Sequence, residues 1–145
     1  MIAGAVLRHA ESGEEVAACF PVMRELRPHL ADAAELVARV RRQQAEGYRL
    51  LAAWDGETVL GLAGYRAQEN LIHGRFLYVD DLVCAPAARR LGLGARLLGA
   101  VEEVARAQGC LRLVLDTALA NVLGHRFYYR AGLLAAALRF GKPVE

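Results

Sequence analysis

The chain has 145 residues, 55% of them hydrophobic, with 18 Lys and Arg against 16 Asp and Glu. That composition excludes intrinsic disorder, which needs low hydrophobicity and high net charge. The length fits one domain over residues 1–145. A net charge of +2 gives no basic stripe of the kind a dedicated nucleic-acid binder carries, so no nucleic-acid partner is expected.

The three cysteines, Cys19, Cys84 and Cys110, are odd in number and lack C-x-x-C spacing. Neither a disulfide framework nor a zinc site is expected, and a reducing cytoplasmic setting is the default. His9, His29, His73 and His125 are scattered without an H-E-x-x-H pattern, so no metal is expected. No apolar run approaches the roughly 18 residues of a membrane helix. The first fifteen residues turn acidic and lack the pattern of a signal peptide.

Residues 5–10 read as a first strand. Helical spacing follows at Val16, Cys19 and Phe20, then Val22, Met23 and Leu26. Pro21 breaks or restarts that helix, and Pro28 marks its end. Asp32 with Glu35 gives a capping-box spacing for the next helix, whose apolar stripe is Leu36, Val37 and Val40. Gly47 is its stop. Residues 48–54 and 58–67 are apolar runs joined by Asp55-Gly56, a strong hairpin signal. A third run, residues 75–85, completes an antiparallel meander.

Residues 93–107 carry a helical stripe of Leu93, Leu97, Leu98, Val101, Val104 and Ala105, stopped by Gly109. Residues 111–116 read as a buried strand, 121–131 as a short helix ending at Gly132, and 133–140 as a final strand. The order predicts a mixed α/β layer fold, with a parallel strand–helix–strand crossover near its middle.

The stretch from Val83 to Ala105 carries the most chemistry. A strand meets Pro86, then Arg89 and Arg90, then Gly92-x-Gly94, then an amphipathic helix. Glycine lets backbone approach a ligand. The first N–H groups of a helix are unpaired and carry the positive end of its dipole. With two arginines beside them, these features make an anion site, most naturally for a pyrophosphate. No P-loop pattern is present. A dinucleotide fingerprint puts a third glycine where Leu97 stands, although Asp116 ends the next strand near the place of a ribose-binding acid. A small NAD(P)-binding oxidoreductase is therefore the rival reading. Against it, six residues separate Cys84 from Leu91, which is long for that tight turn.

The alternative register is R-x-x-G-x-G over Arg89, Gly92 and Gly94. It resembles the acyl-CoA-binding signature of the GNAT superfamily of N-acetyltransferases: Gln or Arg, two residues, Gly, one residue, then Gly or Ala. A second stretch, Asn121 followed by Phe127-Tyr128-x-x-x-Gly132-Leu133, resembles the family's later motif. Residues 78–86 resemble its central strand. The resemblance covers about Tyr78 to Leu133, and the meander before it fits as well.

The resemblance implies a mixed central sheet flanked by helices, with an antiparallel meander and a parallel splayed pair. It implies acetyl-CoA as the acyl donor and an amine as acceptor. Backbone groups of Leu82, Val83 and Cys84 would pair with the pantetheine arm as an added strand does. The N–H groups of Arg89, Arg90, Leu91 and Gly92, then Leu93, Gly94 and Ala95, would hold the pyrophosphate. Asn121 and Tyr128 would line the far wall near the thioester. The family places a tyrosine at Tyr128 to protonate the leaving thiolate, and a phenol with pKa near 10 is a protonated donor at neutral pH.

Asp80 and Asp81 are candidates for the general base, and a bound water is the third. Strand alternation sends the two acids to opposite faces, so at most one readily points into the cleft. Cys84 reads as a small buried hydrophobe rather than an acyl-carrying nucleophile. His125 caps or orients its helix, and Asp116 is a partner for Arg112 or His125. Gly124 departs from the family's usual Ala and weakens the short helix by up to about 1 kcal/mol.

An acyl-CoA-binding sensor that lost turnover is the non-enzyme alternative. The resemblance implies a small amine, an amino acid or a protein amine as acceptor. It would place the acceptor walls in residues 20–42 and 69–75, which carry mixed charge. A homodimer fits the family's habit.

Overall fold

The computed structural model describes residues 4–145. Residues 1–3, the start of the segment read as lacking a leader, lie outside the described residues. The chain forms two compact units, one ending at Val114 and one from Leu115 to Glu145.

The first unit is built around a sheet. Its elements are β1 (Val6–His9), α1 (Gly13–Ala18), α2 (Phe20–Leu26), α3 (Ala33–Gln44), β2 (Arg49–Asp55), β3 (Thr58–Asn70), β4 (Gly74–Cys84), α4 (Leu93–Ala107) and all but the last residue of β5 (Arg112–Leu115). A 3₁₀ turn, Pro86–Ala88, lies between β4 and α4. The strand order is β1-β2-β3-β4-β5. The first four strands are antiparallel neighbours. β5 starts beside the start of β4, where Leu111 N donates to Arg75 O at 2.8 Å. With α4 carrying the chain back between them, the last pair is parallel. The mixed sheet and its helical cover match the expected fold class.

Local chemistry sets the helix boundaries. Ser12 and Glu15 form a reciprocal capping box at the start of α1. Pro21 sits in the first turn of α2, where a missing N–H costs nothing, so the chain restarts there instead of running through. Asp32 caps α3 by accepting from Glu35 N at 2.8 Å. The expected box is only half made, because Glu35 reaches back to Ala31 N instead. α3 ends at Gln44 with Ala45 as its C-cap, so Gly47 is not the C′ residue expected but turns the chain just beyond it, with a φ of +94° in the left-handed region that favours glycine.

The two faces of the sheet bury different partners. Leu50, Ala52, Trp54 and Leu62 join Val16, Cys19, Val22, Met23, Leu36 and Val40 of α1–α3 in one core. Gly61, the neighbour of Leu62 and so on the other face, lies under α4. A Cβ there would meet Leu97 Cδ1 at 2.9 Å and Leu93 Cδ2 at 3.1 Å. Leu93, Leu97, Leu98, Val101 and Ala105 are all buried, so the predicted stripe is the packed one, with Val104 at its margin. Each fully buried leucine contributes about 1.5–3 kcal/mol.

The second unit contains α5 (Val122–Arg130). The strand expected at residues 133–140 does not form; residues 133–145 have no regular secondary structure. A strand exists through its ladder partners. Ala135, Ala136 and Ala137 bring little β propensity to that run, and Leu134 and Phe140 stay 82% and 88% exposed.

Two glycine substitutions separate close packing from simple backbone freedom. Gly64→Ala is expected to lower stability by about 1–3 kcal/mol, because its Cβ would lie 1.9 Å from Tyr48 Oη. Gly99→Ala, on the exposed side of α4 with nothing within 4 Å, is expected to raise it by about 0.5–1 kcal/mol. Urea unfolding of both variants against the parent checks the two signs.

Candidate active site

The middle of β4 holds the densest polar chemistry of the sheet. Gly64 pairs with Asp81, but Tyr65 pairs with Val79. Asp80 is therefore an extra residue, a β-bulge in β4. Bulges re-aim side chains and recur beside active sites. Here the bulge cancels the alternation expected for the two acids. Both carboxylates enter one network, so the expectation of opposite faces does not hold.

Asp81 accepts from Tyr48 Oη at 2.7 Å and from Arg27 Nε at 3.0 Å. Arg27 Nη2 lies 2.9 Å from the same carboxylate and donates to the carbonyl of Asp80 at 2.8 Å. The side chain of Asp80 is gripped by Arg66 through Nε at 3.1 Å and Nη2 at 3.0 Å. Arg66 also stands 6.0 Å from the Tyr48 ring centroid. Both aspartates thus sit in place with a guanidinium on each.

Each member comes from a different element. Arg27 is the C-cap of α2, and Tyr48 directly precedes β2. Gly64 supplies the space that lets the Tyr48 hydroxyl cross β3 to Asp81. Burial, then the charge of Asp81 and their hydrogen bond, push the Tyr48 phenol well above its ordinary pKa of 10. Tyr48 is thus a fixed donor. The hydrogen bond to Asp80 raises Arg66 above its already high value.

Tyr48 and Arg66 were not singled out from sequence. The available signal was Gly64, a glycine inside an apolar strand, which marks a close approach of another group.

Beyond the bulge, β4 runs through Leu82, Val83 and Cys84 to the 3₁₀ turn. Leu82 and Val83 pair with Ala63 and Leu62, and Cys84 pairs with Gly61. Burial pushes the Cys84 thiol upward, with Arg89 opposing. A protonated thiol is a poor nucleophile at neutral pH.

The loop then turns through two left-handed residues, Arg90 (φ +64°) and Gly92 (φ +82°). For Gly92, the N-cap of α4, that conformation is easy; for Arg90 it is strained. The first bond into α4 is Arg96 N to Gly92 O at 3.1 Å. Leu93, Gly94 and Ala95 therefore present first-turn N–H groups with no intrahelical acceptor. Successive N–H groups in such a loop form an anion-binding concavity at the positive end of the helix. Arg89 lies beside it, with Nε on Cys84 O and Nη2 on Glu25, both at 3.3 Å. The donor set fits a pyrophosphate.

In the second unit Asn121 caps α5. Its Oδ1 accepts from Gly124 N at 3.2 Å, and its Nδ2 donates to Thr117 Oγ1 at 2.9 Å. A Cβ on Gly124 would lie 2.2 Å from Asn121 Nδ2, so the departure from alanine makes room for this cap. His125 Nε2 lies 2.9 Å from Ala118 O and ties the helix to its entry turn. Asp116 pairs with Arg139 at 3.2 Å, a partner the sequence reading did not name. Burial raises the Tyr128 phenol above 10.

The family model described as acetyltransferase (GNAT) family matches residues 13–133. An uncharacterized N-acetyltransferase of Bacillus subtilis is 30% identical over 139 residues, covering 95% of this chain and 98% of its own length. An aminoalkylphosphonate N-acetyltransferase of Salmonella typhimurium is 35% identical, covering 67% of this chain and 62% of its own. An aminoglycoside N(6′)-acetyltransferase of Klebsiella aerogenes is 31% identical, over 80% and 78%. Among solved structures, an acetyltransferase of Trypanosoma brucei shares the fold with a TM-score of 0.81 at 19% identity, over 97% of this chain and 99% of that one. None of these supports the dinucleotide reading or the sensor.

Replacing Tyr48 with Phe leaves one oxygen of Asp81 without its donor, at an expected cost of about 1–3 kcal/mol at neutral pH. The folded phenol keeps its proton to higher pH than the unfolded one. Its contribution is therefore full below pH 10 and is lost as pH rises through the folded value. The stability of the parent is expected to fall more steeply above pH 10 than that of the Phe variant, measured by urea unfolding across pH 8–11.

Proposed function

Because the chain belongs to the acetyltransferase (GNAT) family, an acyltransferase that moves acetyl from acetyl-CoA to an amine, we propose how its own residues serve that transfer and which acceptors it takes. Acetyl-CoA supplies an activated acetyl thioester. The N–H groups from Arg89 to Ala95, with the side chains of Arg89 and Arg90, hold the pyrophosphate. Backbone groups of Leu82, Val83 and Cys84 take the pantetheine arm. The single observation that carries this reading is the loop into α4. Its two left-handed residues and unpaired first turn leave backbone amides available to an anion.

The acetyl group passes directly to the amine, since the Cys84 thiol is held protonated by burial. Tyr128 keeps a proton for the leaving sulfur. That role rests on the motif register and on the raised phenol. A donor must be protonated, and the upward shift keeps it so through neutral pH and past 10, so turnover should not lose this acid until strongly alkaline pH. The far-wall role of Asn121 follows from the same register, through backbone groups, since its side chain serves as a cap.

With Asp80 and Asp81 each engaged by an arginine, water is the favoured base. The two acids then act by holding the local charge pattern and reach the amine through that water. The acceptor is a small-molecule amine. Two relatives act on small amines of opposite character, one an aminoalkylphosphonate and one an aminoglycoside. A homodimer in the cytoplasm completes the reading.

Two variants test it. Tyr128→Phe is expected to lower kcat by roughly 10²-fold or more, with the dissociation constant of acetyl-CoA unchanged. Gly92→Ala forces a side chain into the left-handed region, at about 1–2 kcal/mol. It is expected to weaken acetyl-CoA binding by about tenfold. Calorimetric titration together with initial rates separates the two effects. Unchanged turnover in Tyr128→Phe removes Tyr128 from the mechanism.

A further inference from the structure

The two arginines of the bulge network share a geometry that the aspartates do not exhaust. Arg27 commits Nε and Nη2 to Asp81 and to the carbonyl of Asp80. Arg66 commits Nε and Nη2 to Asp80. In neither does Nη1 have a hydrogen-bond partner among the described residues. Guanidinium presents five N–H donors in a rigid fork, so each arginine keeps at least its two Nη1 donors after its pairing. The side chain of Arg27 is 40% exposed and that of Arg66 25%. Arg27 therefore has the more open free edge, and it ends α2, within the segment read as an acceptor wall.

The charge sum decides what such a place attracts. Two guanidiniums face two carboxylates, and the carboxylates are the more enclosed partners, at 13% and 20%. A polycationic amine would meet outward guanidinium donors with the neutralising carboxylates already engaged. Its second ammonium would be repelled. An amine that also bears an acid meets the opposite situation: its anionic group finds donors that are already oriented and charged.

We propose that Arg27 is a specificity-determining residue whose free Nη1 edge receives an acid group, so the preferred acceptors are small amines carrying a carboxylate or phosphate. The inference rests on the acetyl-transfer reading of the site and adds the acceptor class to it. Arg27 takes no part in the bond-making step. Its hydrogen bonds to Asp81 fix the fork, and the fork orients the acceptor.

The test compares initial rates of acetyl transfer to β-alanine and phosphoethanolamine with those to ethanolamine and putrescine, in the parent, Arg27→Lys and Arg27→Gln. Acetyl-CoA binding by calorimetry is measured on each protein. The parent is expected to favour the acid-bearing amines by about tenfold or more in kcat/KM, the scale of one charge-assisted hydrogen bond. Both variants are expected to lose that preference through KM, with a larger loss on the acid-bearing amines than on ethanolamine and with acetyl-CoA affinity retained. Lysine keeps the charge beside Asp81 while losing the fork, so it serves as the variant that folds if Gln does not. An enzyme that turns over ethanolamine or putrescine as well as the acid-bearing amines overturns the inference alone. An equal loss on every amine does so too, since it marks Arg27 as merely structural. Failure to bind acetyl-CoA or to acetylate any amine overturns the underlying reading and this inference together.

Discussion

The hydrogen bond from Tyr48 to Asp81 is the contact on which the centre of this molecule depends. It joins the start of β2 to the bulged middle of β4 across β3, over 33 positions of sequence. Tyr48 is 2% exposed. A buried hydroxyl without a partner is costly, and a buried carboxylate more so. Each therefore constrains the other, and Arg27 adds α2 to the same point. The bulge that places Asp80 and Asp81 together is accommodated because their charges are met from two further elements. A side chain at Gly64 would close the passage through which this contact is made.

The cofactor end of the sheet works by a different economy. There, under the proposed reading, the backbone rather than a set of buried charges would supply the recognition. β4 ends at Cys84, Pro86 starts a tight turn, and the chain then passes through left-handed Arg90 and Gly92 into α4. α4 is anchored by its apolar stripe, which seats Leu93 and Leu97 directly over Gly61. The helix start is thus held rigidly while its first amides remain unpaired. Rigid, preoriented donors bind an anion without an ordering cost. The bulge network lies in β4 and the amide loop follows the end of that strand, so under the proposed reading β4 would serve both acceptor and cofactor.

Much of this was legible in the sequence, and the reasons are specific. α4 falls at residues 93–107 as its periodicity requires, because a long apolar stripe with a glycine at each end has few other solutions. Asp55-Gly56 gave the β2–β3 hairpin, since Gly56 adopts the positive φ that such a turn needs. The loop motif was readable because its chemistry is local. The bulge network was not, because it joins residues distant in sequence, and a bulge breaks the alternation rule by which faces are assigned. Asp80 and Asp81 were visible as unusual acids, but their arginine partners come from α2 and β3. The final strand failed for the opposite reason. Its pattern looked local, whereas a strand is decided by its partners.

The most direct measurement is hydrogen exchange of backbone amides with and without saturating acetyl-CoA. If β4 and its loop hold the cofactor, protection rises at the amides from Arg89 to Ala95 and along Leu82 to Cys84. Protection that rises elsewhere, with those two segments unchanged, would contradict the account.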